Sequence, residues 1–186
     1  MSKAQSNVTT DFVLPIVVLV LICAVMSGLL AVTNNITAPI IDEAERKANE
    51  EARMEVLSAA DSFEKVEAAG LPDGVTEVYR AVNGAGYTFS IVAQGYGGKG
   101  TLKMTVGIDM DGKITGTKIL SQEETPGLGS KITTSAFQSQ FPGKDAGYVS
   151  DIKNIDTISG ATRSSNFFRL ALTYAFDAFN MVKGGA

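Results

Sequence analysis

The chain has 186 residues, of which 45% are hydrophobic and 19% charged, and its formal net charge is −4. This composition excludes a disordered tail and argues against a basic nucleic-acid-binding protein. With no His and a single Cys, Cys23, the chain lacks the residues for a Ser-His-Asp nucleophile, an internal disulfide or an ordinary zinc site. Its chemistry is therefore expected to come from a cofactor, with no catalytic side chain and no metal.

An uncharged apolar segment comes first. Residues 12–33 (FVLPIVVLVLICAVMSGLLAVT) carry no charged side chain, and a helix of this length, at about 1.5 Å per residue, crosses the hydrocarbon core of a bilayer. The alternative is a cleaved secretory signal, but the apolar core of such a signal runs about 7–15 residues and ends at a small-residue cleavage site. No convincing cleavage site follows here. We predict an N-terminal tail at 1–11 and one transmembrane helix at 12–33.

Charge leaves the orientation of this helix undecided. The tail offers Lys3 and the amino group, whereas Arg46, Lys47 and Arg53 follow the helix within the window of about 20 residues that the positive-inside rule counts. Counted alone, these charges weakly favour a cytoplasmic position for the rest of the chain.

Residues 34–60 are predicted as a juxtamembrane helical stalk. Within them, residues 40–59 contain no Gly or Pro, are rich in Ala and Glu, and place apolar side chains at helical spacing. The remaining residues, 61–186, have a normal size for one domain with its own core.

The pattern of 61–186 predicts an α+β domain in which helices flank an antiparallel sheet. Apolar residues alternate in four segments, and Asp111-Gly112 between the last two signals a tight hairpin turn. A helical stretch at 130–140 and an amphipathic helix from Thr162 follow. The four predicted strands are 76–82, 87–94, 101–108 and 113–120.

Two loops carry the functional information. In the first, 124–129 (ETPGLG), two glycines flank one apolar side chain, Leu128. It is either a connecting turn or a surface where Gly127 and Gly129 expose backbone amides to a flat ligand that lies on Leu128.

The second loop, 156–165 (DTISGATRSS), immediately precedes the last predicted helix. Small residues and hydroxyls at a helix N-terminus are the ingredients of a phosphate site, because free amides and the positive end of the helix dipole face the anion. An ordinary Ser/Thr cap has the same composition, so both interpretations remain open from the residues alone.

These residues resemble a family of covalent-flavin proteins from ion-pumping membrane redox complexes. The family comprises the G subunit of the Rnf complex and the related C subunit of the sodium-pumping NADH:quinone oxidoreductase. The resemblance covers the N-terminal anchor, the GYGG segment at 95–98, ETPGLG at 124–129 and the motif DxxSGATxS at 156–164. ETPGLG followed by SGAT is specific in combination, although either alone is weak. A His often seen just before ETPGLG is absent, with Ser121-Gln122-Glu123 in its place.

The resemblance implies an FMN held by a phosphoester bond to Thr162, which ends SGAT. A dedicated flavin transferase makes this bond with FAD as donor. The flavin domain lies on the extracytoplasmic side of the cell membrane, which overrides the charge count. Its partners are the other proteins of the complex and membrane lipid, with no nucleic acid. The expected flavin-site residues are Thr162 with Thr157, Ser159, Gly160, Ala161, Ser164 and Ser165 around the phosphate, and Glu124, Thr125, Gly127, Leu128 and Gly129 around the ring.

The function implied is that of an electron carrier within the Rnf complex, which links ferredoxin and NAD to the pumping of sodium ions or protons. Within the class, the alternative is the C subunit of the quinone-reducing pump. From another class, the alternative is a membrane-tethered binding or assembly module without catalysis. A Ser-Lys hydrolase has little support, since no Ser-x-x-Lys begins a predicted helix.

Overall fold

The computed structural model describes residues 12–68 and 70–184. The tail predicted for residues 1–11 lies outside this part of the chain. The chain divides into two compact units between Lys47 and Ala48, and we describe each by itself.

The first unit contains most of one long helix, α1 (Leu14–Val56), which continues through Pro39. Its apolar side chains before Pro39 are exposed. Among the described residues, α1 is the one helix long and apolar enough to cross a membrane. By length and composition, this helix fits a single membrane span.

The second unit is built on a five-stranded antiparallel sheet in which each strand pairs with its sequence neighbours. All four predicted strands are present with slightly different ends, and a short edge strand, β1, was not predicted. The hairpin at Asp111-Gly112 is confirmed: Gly112 has φ +79° and donates a backbone hydrogen bond to Asp109. The strands are β1 (Phe63–Lys65), β2 (Val75–Ala81), β3 (Gly86–Gly95), β4 (Gly98–Asp109) and β5 (Ile114–Gln122).

Three helices follow the sheet, so the predicted α+β class is confirmed. The helical stretch predicted at 130–140 is present as two short pieces. That stretch is a 3₁₀ turn, Gly129–Thr133, and then a single helical turn, because Thr134 has extended backbone angles that interrupt it. The helices are α2 (Ser135–Gln138), α3 (Ala146–Ser150) and α4 (Thr162–Gly184).

The main core lies between the sheet and α4. The apolar face predicted for this helix is buried, and Phe168 is fully enclosed together with Phe137 and Phe141. Burial of this face fixes the start of α4 against the end of the sheet, which places the SGAT motif. The buried face consists of Phe168, Ala171, Leu172, Ala175, Phe176, Ala178 and Phe179.

The last turn of α1 belongs to the second unit and packs on the other face of the sheet. Gly107 lies between Val106 and Ile108, whose side chains enter the main core, so its own Cα faces away from that core. Gly107 pairs with Gly116 of β5, and a Cβ on either glycine would meet the backbone of Val56. The glycine pair thus leaves a flat surface on the sheet, against which the end of α1 packs.

Candidate functional site

A cavity of about 370 Å³ lies where the two motif loops meet. Three segments form its wall: the turn between β3 and β4, the loop after β5, and the start of α4. The sequence-predicted residues that line it are Thr125, Leu128, Gly129, Gly160, Ala161, Thr162 and Ser164, and Tyr96 and Arg163 complete the lining. Of the other predicted residues, Glu124, Gly127, Thr157, Ser159 and Ser165 are not part of this lining.

Helix α4 begins at Thr162, so this residue is the first of the helix. The amide of Ala161 donates to the carbonyl of Ile158. The amides of Thr162, Arg163 and Ser164 have no hydrogen-bond partner among the described residues, as expected for the first turn of a helix. These donors and the positive helix end favour an anion at this edge of the cavity.

The Thr162 side chain is exposed. Its hydroxyl makes no hydrogen bond within the described part of the chain, and the residue lines the cavity. It is therefore the accessible hydroxyl of the α4 start.

Ser164 and Ser165, which follow Thr162 in the first turn of α4, are buried and hydrogen-bonded. Ser164 is 3% exposed and donates to Glu124 Oε2 at 2.5 Å. Ser165 is fully buried, donates to the carbonyl of Ala161 and accepts from the amide of Ile158. The side chain of Ser165 therefore fixes the loop that leads into α4. Thr157 and Ser159 are exposed.

Glu124 connects the three segments of the wall. Glu124 is 5% exposed. One oxygen accepts from the backbone amide of Tyr96 at 2.8 Å, and the other accepts from Ser164. The sequence pointed to Glu124 only as the first residue of a motif, since its partners lie 28 and 40 residues away.

Glycine occupies three positions of the site for two different structural reasons. Gly127 and Gly160 have φ +73° and +78°, values that favour glycine in tight turns. Gly129 is buried, and a Cβ there would lie 2.6 Å from both Glu124 Oε2 and Ser164 Oγ. The space at Gly129 therefore accommodates the carboxylate and hydroxyl, whereas its sequence context predicts access for a flat ligand.

Apolar and aromatic groups form the outer wall. Leu128 is 40% exposed and Tyr96 is 58% exposed. The Arg163 guanidinium lies 5.8 Å from the Tyr96 ring centre and 5.9 Å from that of Phe167, within cation–π range. No role was predicted for Tyr96. Its place in the GYGG segment was the one feature of the sequence that could have identified it as a site residue.

The residues present suit FMN. An exposed leucine and tyrosine offer surfaces for a flat ring, while partnerless amides and an arginine suit a phosphate. Thr162, which is exposed and contributes one of those amides, lines the same cavity.

Comparison with known families agrees with this geometry. A family described as FMN-binding domain matches residues 95–177. A second, described as RnfG N-terminal region, matches residues 17–56. The fold, the site and these matches define a single-pass membrane protein with an FMN-binding domain.

Proteins of similar sequence identify the family within this class. The G subunit of the ion-translocating oxidoreductase complex of Methanosarcina acetivorans is 34% identical over 178 residues, covering 91% of this chain and 95% of the relative. The G subunit of the Na⁺-translocating ferredoxin:NAD⁺ oxidoreductase complex of Acetobacterium woodii is 37% identical over 69% of this chain and 68% of its own length. The C subunit of the Na⁺-translocating NADH-quinone reductase of Pasteurella multocida is 31% identical over 72% and 62%. The chain belongs to the family of G subunits of ion-translocating oxidoreductase complexes, also called Rnf complexes.

Proposed function

We propose that this chain is the electron-carrying flavin subunit of an Rnf complex and that Thr162 carries its FMN through a phosphoester bond. The observation that carries the proposal is the exposed Thr162, the first residue of α4, which lines the same cavity as Arg163 and Ser164, whose first-turn amides have no partner among the described residues. Ser164 and Ser165 are buried and hydrogen-bonded, so of the hydroxyls in the first turn only Thr162 is accessible to a modifying enzyme.

The attachment step requires an enzyme other than this chain. A threonine hydroxyl is a weak nucleophile that needs a base, and the chain contains no His. We infer that a flavin transferase catalyses this step and that FAD donates the FMN group. The Thr162 Oγ–phosphorus bond forms, the pyrophosphate bond of FAD breaks, AMP leaves, and the transferase accepts the hydroxyl proton.

Around the bound group, the amides of Thr162, Arg163 and Ser164 would hold the phosphodiester. Leu128 and Tyr96 would contact the ring. When bound, FMN supplies electron transfer between neighbouring redox centres. The chain's own residues fix its position and shape its surroundings.

The same proposal includes an extracytoplasmic position for the flavin domain, other Rnf proteins as redox partners, and contact of α1 with membrane lipid. We retain 12–33 as the membrane-spanning segment, 34–60 as the stalk, whose last turn of α1 packs on the sheet, and 61–186 as the flavin domain. The alternative, the C subunit of the quinone-reducing pump, is not favoured, because the N-terminal helix matches the RnfG region.

Mass spectrometry of the protein purified from membranes of its native host tests this function. The intact mass should equal that of the chain plus FMN less one water, and flavin fluorescence should persist on a denaturing gel. A bare chain with no flavin fluorescence would favour the membrane-tethered module without catalysis.

A further inference from the structure

Glu124 is the only acidic side chain that is buried among the described residues. None of the ion pairs in this part of the chain includes it. Burying a carboxylate without a cation is unfavourable unless hydrogen bonds compensate for the lost hydration. A buried carboxylate beside a cavity therefore requires a reason in the structure.

The compensating hydrogen bonds come from two distant segments. The Tyr96 amide belongs to the turn between β3 and β4, and the Ser164 hydroxyl belongs to the first turn of α4. Glu124 itself begins the ETPGLG loop. One side chain thus ties together all three segments that form the cavity.

The surrounding backbone leaves room for this carboxylate. A Cβ on Gly95 would lie 2.9 Å from Glu124 Oε1, and a Cβ on Gly129 would lie 2.6 Å from Oε2. Both distances are shorter than ordinary contacts, although the Thr101 hydroxyl at 2.7 Å is nearer still to a Cβ on Gly95. The absence of a side chain at Gly95 and Gly129 therefore leaves space that the carboxylate occupies in part.

We propose that Glu124 is a positioning residue for flavin attachment. By holding Ser164 and the Tyr96 turn, it keeps the start of α4 against the ETPGLG loop. Thr162, two residues before Ser164, then faces the cavity with its neighbouring amides unobstructed. The inference rests on the proposed function, since it assigns how the Thr162 acceptor is presented to the transferase.

Four variants of the full chain in detergent separate hydrogen bonding from folding. Glu124→Ala removes both hydrogen bonds. Glu124→Gln retains both, because its oxygen accepts from the Tyr96 amide and its amide group donates to Ser164 Oγ after the hydroxyl rotates. Ser164→Ala removes one, and Glu123→Ala changes the adjacent exposed carboxylate as a matched control.

The measurement is the initial rate of covalent flavin incorporation from FAD by purified flavin transferase, followed by intact mass. Near-ultraviolet circular dichroism reports the folded fraction, to which each rate is normalised. We expect Glu124→Ala to react about tenfold slower and Ser164→Ala about threefold slower, as hydrogen-bond losses of this kind imply. Glu124→Gln should restore the rate to within about twofold of the parent, a rescue typical of retained hydrogen bonds, and Glu123→Ala should match the parent.

A folded Glu124→Ala chain that reacts at the parent rate would overturn the proposal, as would Glu124→Gln reacting as slowly as Glu124→Ala. If Glu124→Ala does not fold, Ser164→Ala decides, and a parent-like rate in that variant overturns the proposal. A parent chain that takes up no flavin, or takes it up at another residue, contradicts the proposed function instead.

Discussion

The last turn of α1 packs directly on Gly116, so the substitution Gly116→Ala tests this part of the fold. A Cβ at this position would lie 2.9 Å from Val56 Cα and 3.0 Å from Val56 O. Both atoms belong to the backbone of the last turn of α1, which no side-chain rotation can move. Either the helix end lifts from β5 or the strand bends.

Lifting the helix end would expose buried apolar surface. Val56 and Leu57 are 2% and 1% exposed, and the Thr115 hydroxyl donates to the carbonyl of Val56. Overpacking of a tight contact costs about 1–3 kcal/mol. For a domain of this size, a loss of about 2 kcal/mol lowers the unfolding midpoint by about 8 °C.

Thermal unfolding of the detergent-solubilised chain, followed by near-ultraviolet circular dichroism, measures this change. All five tyrosines lie in the second unit, so the signal reports on its packing. Ser121→Ala, an exposed position of the same strand, is the control. Without a clash, Gly→Ala stabilises a protein by about 0.4–1 kcal/mol, so a Gly116→Ala midpoint at or above that of the parent would refute the packing argument.

Three further predictions concern the pocket, the topology and the domain boundary. Leu128→Ala should leave FMN attached but shift its reduction potential or visible spectrum, because ring solvation changes; an unchanged potential and spectrum would exclude Leu128 as a ring contact. A reporter that is active only in the cytoplasm, fused after Ala186, should be inactive, and activity there would contradict the extracytoplasmic position. A chain that begins at Ala48 should be about 3–6 kcal/mol more stable to urea than one that begins at Asp61, because it retains Val56 and Leu57, each worth about 1.5–3 kcal/mol. Equal unfolding midpoints would show that this turn of α1 adds nothing to the domain.

The alternation of apolar and polar residues, together with the turn residues, was sufficient to predict the strands of the central sheet. The β4–β5 hairpin follows from Asp111-Gly112, whose turn residues and flanking alternation are local signals. The short elements β1 and α3 escaped prediction, because three and five residues are too few for a periodicity to develop. The helical stretch predicted at 130–140 is divided at Thr134, whose extended backbone no local pattern signalled.

The site was predictable in its motifs but not in its internal contacts. Both loops were identified from glycines, hydroxyls and their place before a helix, and they do line one cavity. The tie between Glu124 and Ser164 was not predictable, because it joins residues 40 positions apart. Gly129 illustrates the same limit: its sequence context suggested ligand access, whereas its neighbours are the Glu124 carboxylate from the start of the same loop and the Ser164 hydroxyl from the first turn of α4.

The most direct test of the central claim is the intact mass of Thr162→Val co-expressed with its flavin transferase. Valine keeps the shape and β-branching of threonine and removes only the hydroxyl. Since this hydroxyl makes no hydrogen bond within the described residues, stability should change by no more than about 0.5 kcal/mol. The account predicts FMN less one water on the parent, partial attachment on Thr162→Ser and a bare chain for Thr162→Val. A folded Thr162→Val chain that still carries covalent flavin would contradict the assignment of Thr162.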